Sequence, residues 1–401
     1  MSVEISEIFK AREVLKNVAV RTPIMGPTQL SDYCEVYLKA ENLQNTGSFK
    51  LRGAYYKISQ LSEEEKSKGV IACSAGNHAQ GVALAATGNG IKSLICLPST
   101  APLSKIEATK KLGADICLAG SVYDDAYQKA VELKDKLGYT FVHPFDDPLL
   151  IAGQGTIGLE IIEQLPEANA VVVPVGGGGL ISGIAIAIKT LRPDIKVYGV
   201  QAEGAPSMKI SIDSGKRKTL DQVSTIADGI KVKQPGEHTF EICQKYVDEI
   251  VTVNDDEIAA AILMLMEKQK VVTEGAGASS LAAVIFHKLP VEGEKVVCIV
   301  SGGNIDVNIL NRVITHGLVK SGRMVALTID MPDRPGALAD VSKAIADLGG
   351  NVISVIHERV SRSAHINSCL LHIEMETRNN EHISEIKEKL KEIGYKIVRS
   401  S

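Results

Sequence analysis

No C-x-x-C pair occurs among the seven cysteines, which are scattered and odd in number: Cys34, Cys73, Cys96, Cys117, Cys243, Cys298 and Cys369. That argues against a disulfide framework or a structural zinc site. Several lie inside apolar runs, Cys96 in Ser93–Leu97 and Cys298 in Val296–Val300, as small buried residues of a reducing compartment do. No long Lys/Arg block is present and the formal net charge is −4, so neither nucleic acid nor an anionic membrane is an expected partner. No apolar run is long enough to span a bilayer. Met1 to Lys10 lacks a basic segment followed by an apolar one, so a cytoplasmic location is expected. Fixed-period repeats and low-complexity tracts are missing as well.

What is present is an ordinary globular mix, 45% hydrophobic and 23% charged over 401 residues, enough for two or three domains. From Val70 onward, short β-branched runs alternate with helix-like stretches. Strands are predicted at Val70–Cys73, Ser93–Leu97, Asp115–Ala119, Ala170–Val175, Lys196–Gln201 and Val296–Val300. Helices are predicted at Asn77–Ala86, Ser104–Leu112, Tyr123–Leu137 and Leu180–Thr190. Continuous apolar strands between helices imply an open, mostly parallel α/β sheet covered on both faces. After a polar stretch at 319–323, read as a linker, the order changes. Strands at Val325–Met331, Val352–Val360, Ile366–Glu376 and Lys396–Arg399 are spaced by helices at Gly336–Leu348 and His382–Ile393. That β-α-β-β-α-β order is ferredoxin-like. The expected division is a catalytic body over 1–318, with a smaller subdomain at about 45–150, followed by an appended domain over 324–401.

Four segments carry chemistry. The strand ending at Val175 runs into Gly176-Gly177-Gly178-Gly179 and then a helix. Unobstructed backbone N–H groups at a positive helix end suit a phosphate. The run matches neither the Walker A nor the G-x-G-x-x-G spacing, and a tight turn without a ligand is its other reading. Lys50 sits between Phe49 and Leu51, where desolvation would lower its pKa and free its amine. Cys73-Ser-Ala-Gly-Asn-His-Ala-Gln-Gly81 follows one strand and Ser301-Gly-Gly-Asn304 another, at the strand ends where open α/β sheets bind ligands. Within the former, His78 has two readings, an acid–base group or a helix-start residue making local hydrogen bonds.

These motifs, Ser48–Ala54, Ser74–Gly81, Gly176–Leu180 and Ser301–Asn304, together with Ala152–Glu160 and Lys270–Ala278, resemble those of the threonine dehydratases. These are fold-type II pyridoxal-phosphate enzymes with a tryptophan synthase β-like fold of two open, mostly parallel sheets. The likeness extends to about residue 316. It implies pyridoxal 5'-phosphate as cofactor, held by Lys50 as an imine. Phe49 would pack on the ring, Asn77 would bond its 3-hydroxyl oxygen, and Gly176 to Gly179 would take the phosphate. Ser301 would face the pyridine nitrogen, and Ser74, Asn77 and His78 would receive the substrate carboxylate. A hydroxyl at the ring nitrogen, where a carboxylate would keep it protonated, suits loss of a β-substituent over transamination. Lys50 would then act as the base at Cα.

The implied reaction converts L-threonine to 2-oxobutanoate and ammonia, and L-serine to pyruvate. A serine-preferring ammonia-lyase, a cysteine-synthase-like β-replacement enzyme and an amino-acid sensor with an inactive body are the rivals. Serine racemases of this family carry a second serine where this chain has Ala75, and racemisation needs bases on both faces. The segment Gln201–Ser207 does not match the acidic metal site of racemase-like members, and no divalent metal is expected.

Asp330-Met-Pro-Asp-Arg-Pro-Gly-Ala-Leu338 and Gly349-Gly-Asn-Val-Ile353 resemble an ACT domain, a module that binds amino acids in regulation. The resemblance implies an effector, isoleucine or valine, at Asp333, Gly336, Leu338 and Asn351. It also implies a homo-oligomer, dimer or tetramer.

Overall fold

Valine and isoleucine runs of four or five residues become strands buried on both faces, as in β3 and β7 below. In chain order the first ten are β1 (Ile24–Thr28), β2 (Glu35–Lys39), β3 (Val70–Cys73), β4 (Ser93–Leu97), β5 (Asp115–Leu118), β6 (Thr140–Phe141), β7 (Ala170–Pro174), β8 (Lys196–Ala202), β9 (Glu249–Val253) and β10 (Lys295–Ile299). The computed structural model describes residues 3–359 and 368–400. Two sheets result, a six-stranded one ordered β1-β2-β10-β7-β8-β9 and a four-stranded one ordered β5-β4-β3-β6. All neighbours are parallel except β1, which runs antiparallel to β2 at the edge. Parallel neighbours need crossovers, which the helices supply. The helix Gly179–Leu191 is buried all round from Gly179 to Ile188, which is why that stretch is almost wholly apolar, and it packs on the largely buried helix Pro148–Gln164. The smaller sheet, with helices Lys50–Ser59, Asn77–Gly88 and Leu103–Lys111, has its own core of Leu51, Ile58, Val70, Val82, Ile95 and Leu97.

The chain divides at Asp306/Val307, twelve positions before the sequence suggested. The expected linker at 319–323 instead holds the last two residues of a helix, Val307–Lys320, and a turn with Gly322 at φ 69°. Val307 to Lys320 alternates apolar and polar residues at helical spacing, and that outweighs the polar look of its end. The second unit adds β11 (Met324–Pro332), β12 (Asn351–Glu358), β13 (Ser368–Glu376) and β14 (Lys396–Ser400), an antiparallel sheet ordered β12-β13-β11-β14. Helices Ala337–Asp347 and Asn380–Glu392 supply Val341, Ile345, Ile386 and Leu390 to a core shared with Leu327, Ile329, Leu371 and Ile373. Val360 and Ile366, the expected ends of two strands, lie outside the described residues.

Candidate active site

Lys50 is the first residue of the helix Lys50–Ser59. The backbone before it lies along the loop that follows β10. Ser48 and Gly302 form an antiparallel bridge, Phe49 N–H donates to Ser301 O at 3.2 Å, and Gly303 N–H donates to Gly47 O at 2.8 Å. Two motifs far apart in sequence thereby become one floor. The Lys50 amine donates to Pro144 O at 2.7 Å and lies 5.2 Å from the Phe49 ring centre. It keeps some access to solvent, yet desolvation pulls its pKa down to about 8, with the charge of Glu274 opposing the fall.

Asn77 opens the helix Asn77–Gly88 just after β3. A Cβ on Gly81 of that helix would lie 3.1 Å from the Lys50 carbonyl carbon, so the start of the Lys50 helix packs closely on the helix Asn77–Gly88. Asn77 Nδ2 donates to Glu274 Oε1 at 2.7 Å, and Asn304 Nδ2 donates to Asn77 Oδ1 at 2.6 Å. These bonds fix the amide and leave one of its N–H hydrogens over. Burial raises the Glu274 carboxyl to about 7 despite the Asn77 hydrogen bond and the charges of Lys105 and Lys50.

Gly178 caps the helix Gly179–Leu191 with φ 100°, a left-handed conformation costly for any other residue. A Cβ on Gly177 would enter the Phe145 ring at 2.4 Å, and one on Gly179 would meet the Phe145 carbonyl oxygen at 2.7 Å. Phe145 follows Pro144, whose carbonyl holds Lys50, so the turn His143–Asp146 sets the spacing between amine and glycine run. That turn is itself fixed. Asp146 N–H donates to His143 Nδ1 at 2.8 Å, and the Asp146 carboxylate accepts from the N–H groups of Glu237 and Thr239 at 2.8 and 3.2 Å. Thr239 Oγ1 donates to Gly177 O at 2.6 Å and Gly236 N–H to the same oxygen at 3.3 Å, which fixes the glycine carbonyl. The first N–H groups of that helix have no partner within it and lie at its positive end.

The family of pyridoxal-phosphate dependent enzymes matches residues 16–302, and the ACT domain matches residues 325–394. The L-threonine ammonia-lyase of Thermotoga maritima is 53% identical over 98% of this chain and 99% of its own length. That of Geobacter sulfurreducens is 45% identical over 97% of each. The catabolic L-threonine dehydratase of Escherichia coli is 45% identical over 78% of this chain and 96% of its own length. Among solved structures, the processed threonine deaminase isoform 2 of Solanum lycopersicum superposes with a TM-score of 0.74, 42% identity, and 79% and 89% of the two chains covered. Maize serine racemase superposes with a TM-score of 0.74 at 35% identity, over 80% and 99%. This chain belongs to the threonine ammonia-lyase family of pyridoxal-phosphate-dependent enzymes.

In this threonine ammonia-lyase family member, the residues fit the cofactor. The glycine run forms a cradle that any Cβ would fill, beside a helix start with free donors, and a desolvated lysine amine lies one turn of chain away. Lys50, Phe49, Asn77, Ser301 and the glycines are all brought together. Ser301 is buried, and Ser74 lies in the loop before Asn77, its Oγ accepting from Gly76 N–H at 3.2 Å. His78 is different. Its ring is 3% exposed, Nε2 bonds Val142 O at 2.9 Å, and burial lowers its pKa to about 3. Burial therefore favours the neutral ring, and its bond to Val142 joins residues 64 positions apart, unlike the local bonds that the sequence suggested. Glu274, Asn304, Pro144, Phe145 and Thr239 escaped the sequence reading as contributors. Glu274 and Asn304 lay within quoted motifs, but their link to Asn77 is made only by folding.

The expected effector residues do not meet in one copy of the ACT unit. Asp333 follows β11 and pairs with Arg359 at 3.2 Å, Gly336 caps the helix Ala337–Asp347 with φ 91°, and Leu338 is exposed. Asn351 starts β12 opposite Glu376, to which its Nδ2 donates at 2.8 Å. Glu376 is also opposite Met324, the far end of β11 from Asp333, so Asn351 and Asp333 lie at opposite ends of the sheet.

Proposed function

We propose that the first unit converts L-threonine to 2-oxobutanoate and ammonia, and L-serine to pyruvate and ammonia. The observation that carries this reading is the Lys50 amine, desolvated to about 8 and held beside the glycine cradle. Bound pyridoxal phosphate supplies an electron sink for the charge that develops at Cα. The amides of Gly176 to Gly179 hold the phosphate, Phe49 packs on the ring, Asn77 bonds the 3-hydroxyl oxygen with its remaining N–H, and Ser301 meets the ring nitrogen. Lys50 anchors the cofactor and takes the Cα proton at Nζ, a role for which a pKa near neutrality is suited. Ser74, Asn77 and the N–H groups at the start of the helix Asn77–Gly88 receive the substrate carboxylate. The β-hydroxyl leaves as water, and hydrolysis returns one water as ammonia is released. Ala75 supplies no proton donor on the opposite face, which favours elimination over racemisation.

The second unit acts as an amino-acid sensor in a cytoplasmic enzyme of isoleucine biosynthesis, with isoleucine as effector and valine as its antagonist. A homo-oligomer completes the effector site. A second copy whose β12 runs antiparallel alongside β12 would bring Asn351 beside the partner's Asp333.

The test measures 2-oxobutanoate and pyruvate released from threonine and serine, with and without isoleucine. Release of neither product would overturn the catalytic reading, and identical rates with isoleucine would overturn the sensor reading. Lys50→Ala should lower turnover by about a hundredfold or more and abolish the absorbance of the cofactor–lysine linkage.

A further inference from the structure

Three strand ends converge at one corner of the second unit. β11 ends at Pro332 and delivers Asp333, β12 carries His357 next to its last residue, and β13 carries Cys369 in its second position. Register explains the meeting, since Cys369 lies opposite Met331 on β11 while His357 lies opposite Leu371 on β13. One ligand atom from each residue, a carboxylate oxygen, a ring nitrogen and Sγ, lies within 4.8 Å of the other two. His357 Nε2 is 2.9 Å from Cys369 Sγ. Cys369 is buried, whereas Asp333 and His357 face solvent, so the sulfur is sheltered and the corner open to an entering ion.

We propose that Asp333, His357 and Cys369 bind a divalent transition cation of the zinc class. A mixed sulfur, nitrogen and oxygen set selects a borderline-soft ion, whereas calcium and magnesium take oxygen ligands. Metal–ligand bonds of about 2.0–2.3 Å in a tetrahedron set ligand atoms roughly 3.3–3.8 Å apart, so only small rotations at the exposed residues are needed. Three protein ligands leave a fourth position to water. When the Sγ–metal bond forms, the thiol proton passes to solvent and the metal replaces the His357–Cys369 hydrogen bond.

Arg359 Nε takes Asp333 Oδ1 at 3.2 Å, which orients the carboxylate and leaves its other oxygen for the ion. This inference does not depend on the catalytic reading, it competes with the effector reading for Asp333, and it departs from the sequence expectation of no metal.

The experiment uses the full-length holoenzyme, stripped with a chelator and dialysed against Zn²⁺ alone, with metal content and thiol alkylation measured afterwards. The expected result is retention of zinc in a fixed ratio to chain and slower alkylation of Cys369. Zinc should be lost in Cys369→Ser and in His357→Asn. Because Cys369 is buried and its variant risks misfolding, the exposed His357→Asn decides alone if Cys369→Ser does not fold. No zinc retained by the unaltered chain, or equal retention by His357→Asn, would overturn the proposal.

Discussion

At the scale of single residues, the site holds a carboxyl raised to about 7 and an amine lowered to about 8, both chiefly by burial. Their consequences for stability have opposite signs in the cofactor-free chain. Between its ordinary 4.5 and about 7, Glu274 binds more protons folded than unfolded, so stability falls as pH rises through that window. Between about 8 and its ordinary 10.5, Lys50 binds more protons unfolded than folded, so stability rises with pH there. Glu274→Gln should remove the first slope and, by deleting the charge that supports the ammonium, lower the Lys50 pKa further. Denaturant midpoints of cofactor-free wild-type and variant at pH 5 and pH 7 check this, and a gap between the two proteins that is the same at both pH values would contradict it. Glu274 also shows what one sequence hides. It lies in a run of small residues, and nothing local distinguishes it from a surface carboxylate. Its pKa and its hold on Asn77 arise from a contact made across the fold. The glycine run Gly176 to Gly179 suggests a phosphate through its own unobstructed backbone, whereas Lys50 is set apart from other lysines by the resemblance of its motif to that of the threonine dehydratases.

At the scale of elements, the helix that presents Lys50 is anchored two residues later by a buried charge cluster. Arg52 donates to Glu41 through Nε at 2.9 Å and Nη2 at 2.8 Å, and to Glu160 through Nη1 at 2.6 Å. Lys39 pairs with the other Glu160 oxygen, and Thr22 Oγ1 donates to Glu41 at 2.6 Å. Arg52, Lys39 and Glu41 are all at most 1% exposed. Burial alone would raise Glu41, but the charge and hydrogen bonds of Arg52 hold its carboxyl below the usual range. The cluster joins β2, the helix Lys50–Ser59 and the helix Pro148–Gln164. Arg52→Met keeps much of the volume but strands two carboxylates, and it should cost about 3–5 kcal/mol. The denaturant midpoint measures it, and a change within the range of ordinary surface substitutions would show that water reaches the cluster. The same residues explain why β2 went unread. A strand ending in a buried lysine breaks the apolar pattern on which strand reading rests. β1 contains Gly26-Pro27, a turn signal in any sequence reading, and the chain carries it as an edge strand, where a proline is tolerated. The strands β3, β4, β7 and β10, apolar apart from Ser93 and Lys295 at their starts, were legible to within one residue because little competes with burial there.

At the scale of the whole molecule, two units invite two separate tests. β12 is the edge of its sheet, with Ile353, Val355 and Ile356 at 51, 40 and 63% exposure. An apolar edge strand of this kind is a pairing template. Ile356→Lys should shift sedimentation toward smaller species and weaken the response to isoleucine together, since the proposed effector site spans two copies. An unchanged sedimentation profile would remove β12 as the pairing edge. The second test concerns which unit does chemistry. The Escherichia coli relative is covered over 96% of its length by 78% of this chain, so a protein of this family stands without a comparable second unit. The body here has its own cores, and every residue proposed for catalysis lies before Asp306. A chain ended after Lys320 retains the helix Val307–Lys320 and loses the sheet. It should still release 2-oxobutanoate from threonine, because Lys50, Asn77, the glycine run and Ser301 draw their contacts from the body. It should no longer respond to isoleucine, because coupling requires a site whose ligand distinguishes two states. A response that survives the cut would move the effector site into the body, and loss of all turnover with the cofactor still bound would make the second unit part of the catalytic machinery.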